Sequence, residues 1–143
     1  MYYINISFFI CNAIGGFMKA KEMLEFKKWA VVGATQNIEA FGYKMFKALQ
    51  KNGYTVYPVT PKYDKIDEIK AYKSIKDIPD DIDVVGFIVN PKIGISVIED
   101  VIDLGIKNIW MQPGTRNPKI VKRAIDNNIN VVFSCVMVEL GVF

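Results

Sequence analysis

The stretch WAVVGA at residues 29–34 is a short apolar run that ends in glycine. Apolar runs without alternating polar residues are typical of strands buried on both faces, as in a parallel sheet. Four later segments are also interpreted as strands, and helical patterns separate them. These segments are residues 55–60, 84–89, 108–113 and 131–135, with residues 71–72 as a possible additional short strand.

Helical periodicity lies between the apolar runs. Residues 39–52 place Phe41, Met45 and Leu49 on one face, because they recur at spacings of three and four. Further helices are predicted over residues 91–104 and after the capping residue Asn117. Alternation of strands and helices predicts an α/β chain, with an open parallel sheet and helices on both faces, in a Rossmann-like arrangement.

Such sheets bind ligands beyond the carboxyl ends of their strands, where the strand order reverses. If the order is 3-2-1-4-5, the reversal lies between residues 29–34 and residues 84–89. Three strand ends then build the site. Its candidate residues are Gly33, Ala34, Thr35, Thr60, Pro61, Lys62, Val89, Asn90 and Pro91.

Composition excludes several classes of function. The chain has 143 residues, 51% of them hydrophobic and 23% charged, which is typical of one globular domain. Its net charge is +3, and no basic run resembles a nucleic-acid or polybasic membrane patch. It has no histidine, so mechanisms that need an imidazole base are excluded.

The two cysteines, Cys11 and Cys135, form no Cys-x-x-Cys pattern. This usage favours a reducing, cytoplasmic location and no metal site. We interpret Cys135 as a buried structural thiol, because a free cysteine is usually a small core residue.

The first seventeen residues are apolar and carry no charged side chain. They lack the basic start and the cleavage site of a secretory signal, although an uncleaved membrane anchor remains an alternative. Gly15-Gly16 can be encoded as a ribosome-binding sequence, so we expect translation to begin at Met18. Residues 1–17 are thus predicted to be an untranslated or disordered leader outside the core, and residues 18–143 the single domain.

The loop after residues 29–34 is the candidate phosphate-binding element. Backbone N–H groups at the start of the following helix suit a diphosphate, and the Thr35 hydroxyl can add a hydrogen bond. On this interpretation Gly33→Val would place a side chain in the path of the phosphate. The full Gly-x-Gly-x-x-Gly fingerprint is missing, because Thr35 and Ile38 stand where glycines are needed.

The end of the second strand predicts which nucleotide is bound. NAD sites favour an acidic residue there, whereas this chain has Thr60-Pro61-Lys62. A lysine suits an extra phosphate on the ribose, as in coenzyme A or NADP. An ordinary solvated lysine is the alternative interpretation of Lys62.

Seven motifs in order resemble the small stand-alone coenzyme A-binding proteins and, more distantly, the coenzyme A-binding domain of succinyl-coenzyme A synthetase. The resemblance covers about residues 27–140. The matching elements are AVVGAT at 30–35, Gly53-Tyr54-x-Val56, PVTPKY at 58–63, Tyr72 with Ser74-x-x-Asp77-Ile78-Pro79, Asp83-Val84-Val85, Trp110-x-Gln112, and Cys135-x-x-x-Glu139.

The resemblance implies a binding mode for coenzyme A. The first loop would hold the diphosphate, and Val59 to Lys62 would lie along the adenosine and its 3′-phosphate. The turn Val89-Asn90-Pro91 would lie opposite, with the pantetheine arm running toward Trp110 and Gln112, although core packing is the other interpretation of Trp110.

Two departures from the family pattern bear on phosphate binding. Many members have arginine at the positions of Ala40 and Ser134, and Lys44 is the candidate substitute for the lost cations. A non-catalytic module that binds coenzyme A or an acyl-coenzyme A, possible as a homodimer, is the first hypothesis. An NADP-binding oxidoreductase-like domain and a ligand-free interaction module are the alternatives.

Overall fold

The structure is a computed structural model that describes residues 16–142. It contains a main sheet of six parallel strands and a separate two-stranded hairpin. In chain order the strands are β1 (Gly16–Phe17), β2 (Lys28–Val32), β3 (Thr55–Val59), β4 (Lys65–Ile66), β5 (Ile69–Lys70), β6 (Val84–Phe87), β7 (Asn108–Met111) and β8 (Asn130–Phe133).

Within the described residues, five α-helices and one 3₁₀ turn accompany these strands. The two longest helices carry the periodic apolar faces expected from the sequence, and they follow β2 and β6. The helices are α1 (Ala20–Met23), α2 (Phe41–Lys51), α3 (Pro91–Asp103), α4 (Pro118–Asp126) and α5 (Val136–Leu140), and the 3₁₀ turn is Ile75–Asp77.

The main sheet has the order β1-β8-β7-β6-β2-β3. A single bridge from Val59 to Tyr72 supplies the expected third position beyond β3. The predicted order 3-2-1-4-5 is therefore confirmed, with β2 between β3 and β6 and with β8 and β1 added at the far edge. The order reverses at β2, as expected, and this reversal positions the site.

Alternate residues of β2 face two separate apolar clusters. Trp29 and Val31 pack in the cluster beneath α2 and α5, whereas Ala30 and Val32 pack in the cluster beneath α3 and α4. All four side chains are buried. Helices therefore cover both faces of the sheet, which explains the unbroken apolar run.

Pro58 lies in β3, an edge strand of the main sheet, which explains why a proline is tolerated inside a strand. Its carbonyl oxygen accepts the N–H of Tyr72 at 2.9 Å, on the side away from β2. The missing proline N–H faces the same outer side, so no bond between β2 and β3 is lost.

Two residues of the apolar leader belong to the sheet. Gly16 and Phe17 pair in parallel with Asn130 and Val131 of β8. This differs from the loose appendage we expected, because the exposed edge of β8 offers unpaired backbone groups that a strand can satisfy. Residues 1–15, where the rest of the leader prediction falls, lie outside the described residues. Within residues 16–142, no helix has both the length and the apolar character that a bilayer crossing requires.

Candidate functional site

A cavity of about 500 Å³ opens at the carboxyl ends of β2, β6 and β7, where the strand order reverses. We call it the switch-point cavity. Loops that follow four strands supply its walls. Its lining residues are Gly33, Thr35, Ala40, Phe41, Gly42, Ile88, Val89, Asn90, Gln112, Pro113, Gly114, Thr115 and Cys135.

Five of the predicted site residues line this cavity: Gly33, Thr35, Val89, Asn90 and Gln112. The others lie around it. Some are buried beneath the strand ends, and others are on neighbouring surfaces. The predicted residues outside the lining are Ala34, Lys44, Val59, Thr60, Pro61, Lys62 and Pro91.

Gly33 is required by the backbone turn at the end of β2. Its φ is +102°, a value that residues with a Cβ atom rarely adopt. A Cβ built on it would meet Cγ2 of Ile88 at 2.6 Å and the Ile88 carbonyl oxygen at 2.8 Å. The side chain in Gly33→Val would therefore collide with the end of β6, so the variant would strain the fold in addition to any effect on the path of a phosphate.

The N-terminus of α2 opens on the cavity without a side-chain cap. Ala40 occupies the capping position, and no side chain accepts a helix N–H there. By contrast, Asn90 caps α3 by accepting the N–H of Ile93 at 3.1 Å. Among the described residues, the N–H groups of Phe41 and Gly42 have no acceptor. They remain available for an anion at the positive end of an eleven-residue helix.

Gln112 is held firmly in the cavity wall. Only 2% of its surface is exposed. Its Oε1 accepts the Trp110 Nε1–H at 3.0 Å and the Val136 N–H at 2.7 Å. Its Nε2 donates to Cys135 Sγ at 3.6 Å. These bonds join the end of β7 to the start of α5 and fix the shape of this wall.

Trp110 lies in the core. The residue is fully buried, and its ring centroid lies 5.5 Å from that of Trp29. Its Nε1–H also donates to the Ser134 carbonyl at 2.8 Å. Core packing is therefore the correct interpretation of Trp110.

Cys135 is half-buried and lines the cavity, so our interpretation of a buried structural thiol is wrong. The residue lies between β8 and α5, at the carboxyl edge of the sheet where loops leave gaps. Among the residues that the structure describes, it is the sole ionisable group in the cavity lining. No carboxylate of the described residues lines the cavity, so no carboxylate of theirs would repel an anion there.

The loop after β3 packs beside the loop after β2. The Thr35 hydroxyl, by hydrogen bonding, and the Lys62 ammonium, by its charge, lower the pKa of the Tyr63 phenol, because both stabilise its phenolate. Gln36 Nε2 donates to the Lys65 carbonyl at 2.8 Å. The predicted residues at 59–62 are therefore adjacent to the cavity, at its β3 side, although they do not line it.

Sequence reasoning missed the residues that close the far side of the cavity. The turn Pro113-Gly114-Thr115 follows β7, and Gly114 has a φ of +92°. The strand-end rule that located residues 89–91 applies equally to the next strand, so the Pro-Gly pair was a usable signal. No such signal marked Phe41 as a cavity residue. Its position in the helical pattern predicted a core residue, whereas 62% of its surface is exposed.

Several solved structures share this fold. A hypothetical protein from Pyrococcus horikoshii OT3 is 36% identical, with a TM-score of 0.80, and the match covers 85% of this chain and 89% of that one. A conserved hypothetical protein from Pyrococcus furiosus is 37% identical, with a TM-score of 0.76, over 80% of this chain and 99% of that one.

A larger protein contains the same architecture. The dinucleotide-forming acetyl-coenzyme A synthetase 1 of Ca. Korarchaeum cryptofilum, in complex with phosphate and ADP, is 25% identical, with a TM-score of 0.68. The match covers 80% of this chain but only 27% of the synthetase. This chain thus resembles one part of that enzyme.

The match to a protein family spans both walls of the cavity. It begins at residue 27, before β2, and ends at residue 141, after α5, so it includes every residue of the cavity lining. Since it also covers most of the sequence, this chain belongs to the CoA binding domain family.

Proposed function

We propose that this protein binds coenzyme A, or an acyl-coenzyme A, as a non-catalytic module. The observation that carries the proposal is the uncapped start of α2 at the switch-point cavity. The Phe41 and Gly42 N–H groups, with the Thr35 hydroxyl, would receive the diphosphate. The adenosine would lie on the β3 side, near Lys62 and Tyr63, and the pantetheine arm would extend toward Asn90 and Gln112.

The lining supports binding without chemistry. Within the described residues, the cavity has one ionisable side chain, Cys135, and no acid–base pair. A general acid or base must lie within hydrogen-bonding reach of the reacting group. The chain also has no histidine. We therefore propose a carrier, sensor or regulatory role in place of acyl or phosphoryl transfer.

Titration calorimetry with coenzyme A, acetyl-coenzyme A, NADP and NAD tests the proposal. We expect coenzyme A or its thioester to bind more tightly than either dinucleotide. A preference for NADP would support the oxidoreductase-like alternative instead. Absence of binding by all four would favour the ligand-free interaction module.

The variant Thr35→Asp tests the proposed diphosphate position, because it places a negative charge there. Thr35 Oγ1 accepts the Asn37 N–H at 3.2 Å, and the aspartate in Thr35→Asp can keep that bond while it repels an anion. We expect a loss of at least about tenfold in affinity for coenzyme A, the equivalent of one charged contact. Ser74→Asp is the control, because Ser74 caps the 3₁₀ turn away from the cavity in the same way.

A further inference from the structure

A second cavity adjoins the first. It has a volume of about 580 Å³ and lies between α2 and α5. Phe41 and Cys135 line both cavities and form their common wall. We call this second cavity the acyl groove, for the reasons that follow. Its other apolar lining residues are Ile38, Ala48, Met137, Val138 and Val142.

The acyl groove exposes apolar surface that a folded chain normally buries. Ile38 is 62% exposed, Phe41 62% and Val138 56%, and all three line the groove. Large exposed apolar patches on folded proteins commonly mark binding sites. The groove therefore needs an occupant.

The rim of the groove carries positive charge. Lys44 and Lys51 line it and are exposed, and neither has an ion pair among the described residues. Lys47 is different, because its Nζ is held by Asp67 at 2.8 Å. Long lysine stems cover apolar surface while their ammonium groups remain in water, so the rim extends the apolar wall.

The two lining residues that the cavities share, Phe41 and Cys135, identify the occupant. On the proposed function, on which this inference rests, the pantetheine thiol would arrive between Gln112 and Cys135. The same wall borders the acyl groove. We infer that an aliphatic acyl group, joined to that thiol as a thioester, lies in the acyl groove, and that the natural ligand is a medium- or long-chain acyl-coenzyme A.

Chain-length dependence tests the inference. Affinities for coenzyme A, acetyl-, hexanoyl- and octanoyl-coenzyme A would be measured by calorimetry on the full chain. Each fully buried methylene tightens binding about three- to fourfold, so in an open groove we expect octanoyl-coenzyme A to bind at least about tenfold more tightly than acetyl-coenzyme A. Equal affinities for all the thioesters would overturn the inference while leaving the proposed binding of coenzyme A intact.

Substitutions in the groove locate the acyl chain. Ile38→Ser and Val138→Ser alter exposed side chains that do not line the switch-point cavity. We expect each to reduce the octanoyl-to-acetyl affinity ratio severalfold and to leave the affinity for free coenzyme A unchanged. Ile95→Ser is the control, because Ile95 is 40% exposed on α3 and lines neither cavity.

The groove has a competing occupant, a second copy of this chain. Light scattering of the wild type, Ile38→Ser and Val138→Ser distinguishes the two. A dimer that dissociates in these variants, together with affinities that do not depend on acyl length, would assign the groove to contact between copies and overturn the inference. A failure of coenzyme A itself to bind would instead refute the proposed function.

Discussion

Gly42, in the first turn of α2, packs against the carbonyl oxygen of Gly33 at the end of β2. A Cβ built on Gly42 would overlap that oxygen and lie 3.4 Å from Cα of Ala34. The close approach brings the uncapped start of α2 over the end of the central strand. The geometry of the proposed diphosphate site therefore depends on two glycines nine positions apart in the sequence.

Gly42→Ala should destabilise the protein and weaken coenzyme A binding together. The colliding atom is backbone, so α2 must shift, at a cost of about 1–3 kcal/mol. The control is Gly94→Ala on α3, where the one close contact of the new Cβ would be the flexible end of Ile120 at 2.8 Å, with the Phe87 ring at an ordinary 3.5 Å. Urea unfolding compares the two variants, and equal losses of stability would contradict this account.

Gln112→Met should lower the free energy of unfolding by about 1–3 kcal/mol, because it leaves the buried Val136 N–H without its acceptor. Trp110 Nε1–H would keep its bond to the Ser134 carbonyl. Gln36→Met, at an exposed side chain with one backbone partner, is the control and should cost less. Chemical denaturation measures both variants, and an unchanged midpoint for Gln112→Met would show that the bond contributes little.

Ala40→Arg should add a contact to the proposed diphosphate. Ala40 lines the switch-point cavity at the start of α2. A guanidinium–phosphate hydrogen bond contributes about 1.5–3 kcal/mol, so calorimetry should show coenzyme A binding at least about tenfold more tightly. Ser96→Arg, which adds the same charge at an exposed position on α3, should have little effect. A matching gain in both variants would indicate nonspecific attraction.

Lys62→Ala should weaken coenzyme A binding only modestly. Lys62 is exposed and lies outside the cavity lining, and its Nζ lies 5.5 Å from the Tyr63 ring centroid. An exposed ionic contact contributes about 0.2–1 kcal/mol, which corresponds to a loss below about tenfold. A loss of more than about tenfold, measured by calorimetry, would mean that the contact between Lys62 and the 3′-phosphate contributes more to affinity than an exposed ion pair does.

Stability should depend on pH through Asp80. The Tyr57 hydroxyl donates to Asp80 Oδ2 at 2.5 Å, and Lys28 Nζ lies 3.0 Å from Oδ1. Together these partners lower the pKa of Asp80 below its usual 3.8. The unfolded chain therefore binds this proton first, and the contribution of Asp80 to stability is complete above pH 3.8 and lost as the pH falls through the lower folded value.

The contact between Tyr57 and Asp80 also makes stability depend on pH in the alkaline range, where stability falls as the pH rises. Asp80 raises the pKa of Tyr57 from 10.0 to about 12. The stabilisation is therefore complete below pH 10 and lost as the pH rises through about 12. Asp80→Asn should flatten both limbs of a plot of urea midpoint against pH, whereas Glu25→Gln, at an exposed carboxylate without an ion pair among the described residues, should not. Parallel curves for wild type and Asp80→Asn would refute this prediction.

The sequence located the strands of the sheet more reliably than it identified the side chains that line the cavity. Apolar runs at residues 29–34 and 84–89 fixed β2 and β6, because a strand covered on both faces must be apolar throughout. Both strands ended earlier than predicted. Gly33 leaves the extended conformation at a φ of +102°, and this turn cannot be inferred from hydrophobicity.

Cys135 and Phe41 illustrate the limit of sequence reasoning. A cysteine after an apolar run and a phenylalanine on a helical face both predict core positions, yet both line cavities. Their exposure depends on how α5 returns across α2, a contact between segments nearly one hundred residues apart. Local periodicity contains no information about such a contact.

The sequence by itself predicted the layered α/β fold and the edge of the sheet at which the cavity opens, because alternating apolar and helical periods leave few compact arrangements. Only the tertiary structure decided which residues form the cavity walls and that a second apolar groove adjoins them. The physical reason is that burial and strand pairing follow from local pattern, whereas the shape of a cavity depends on gaps between loops that distant elements bring together.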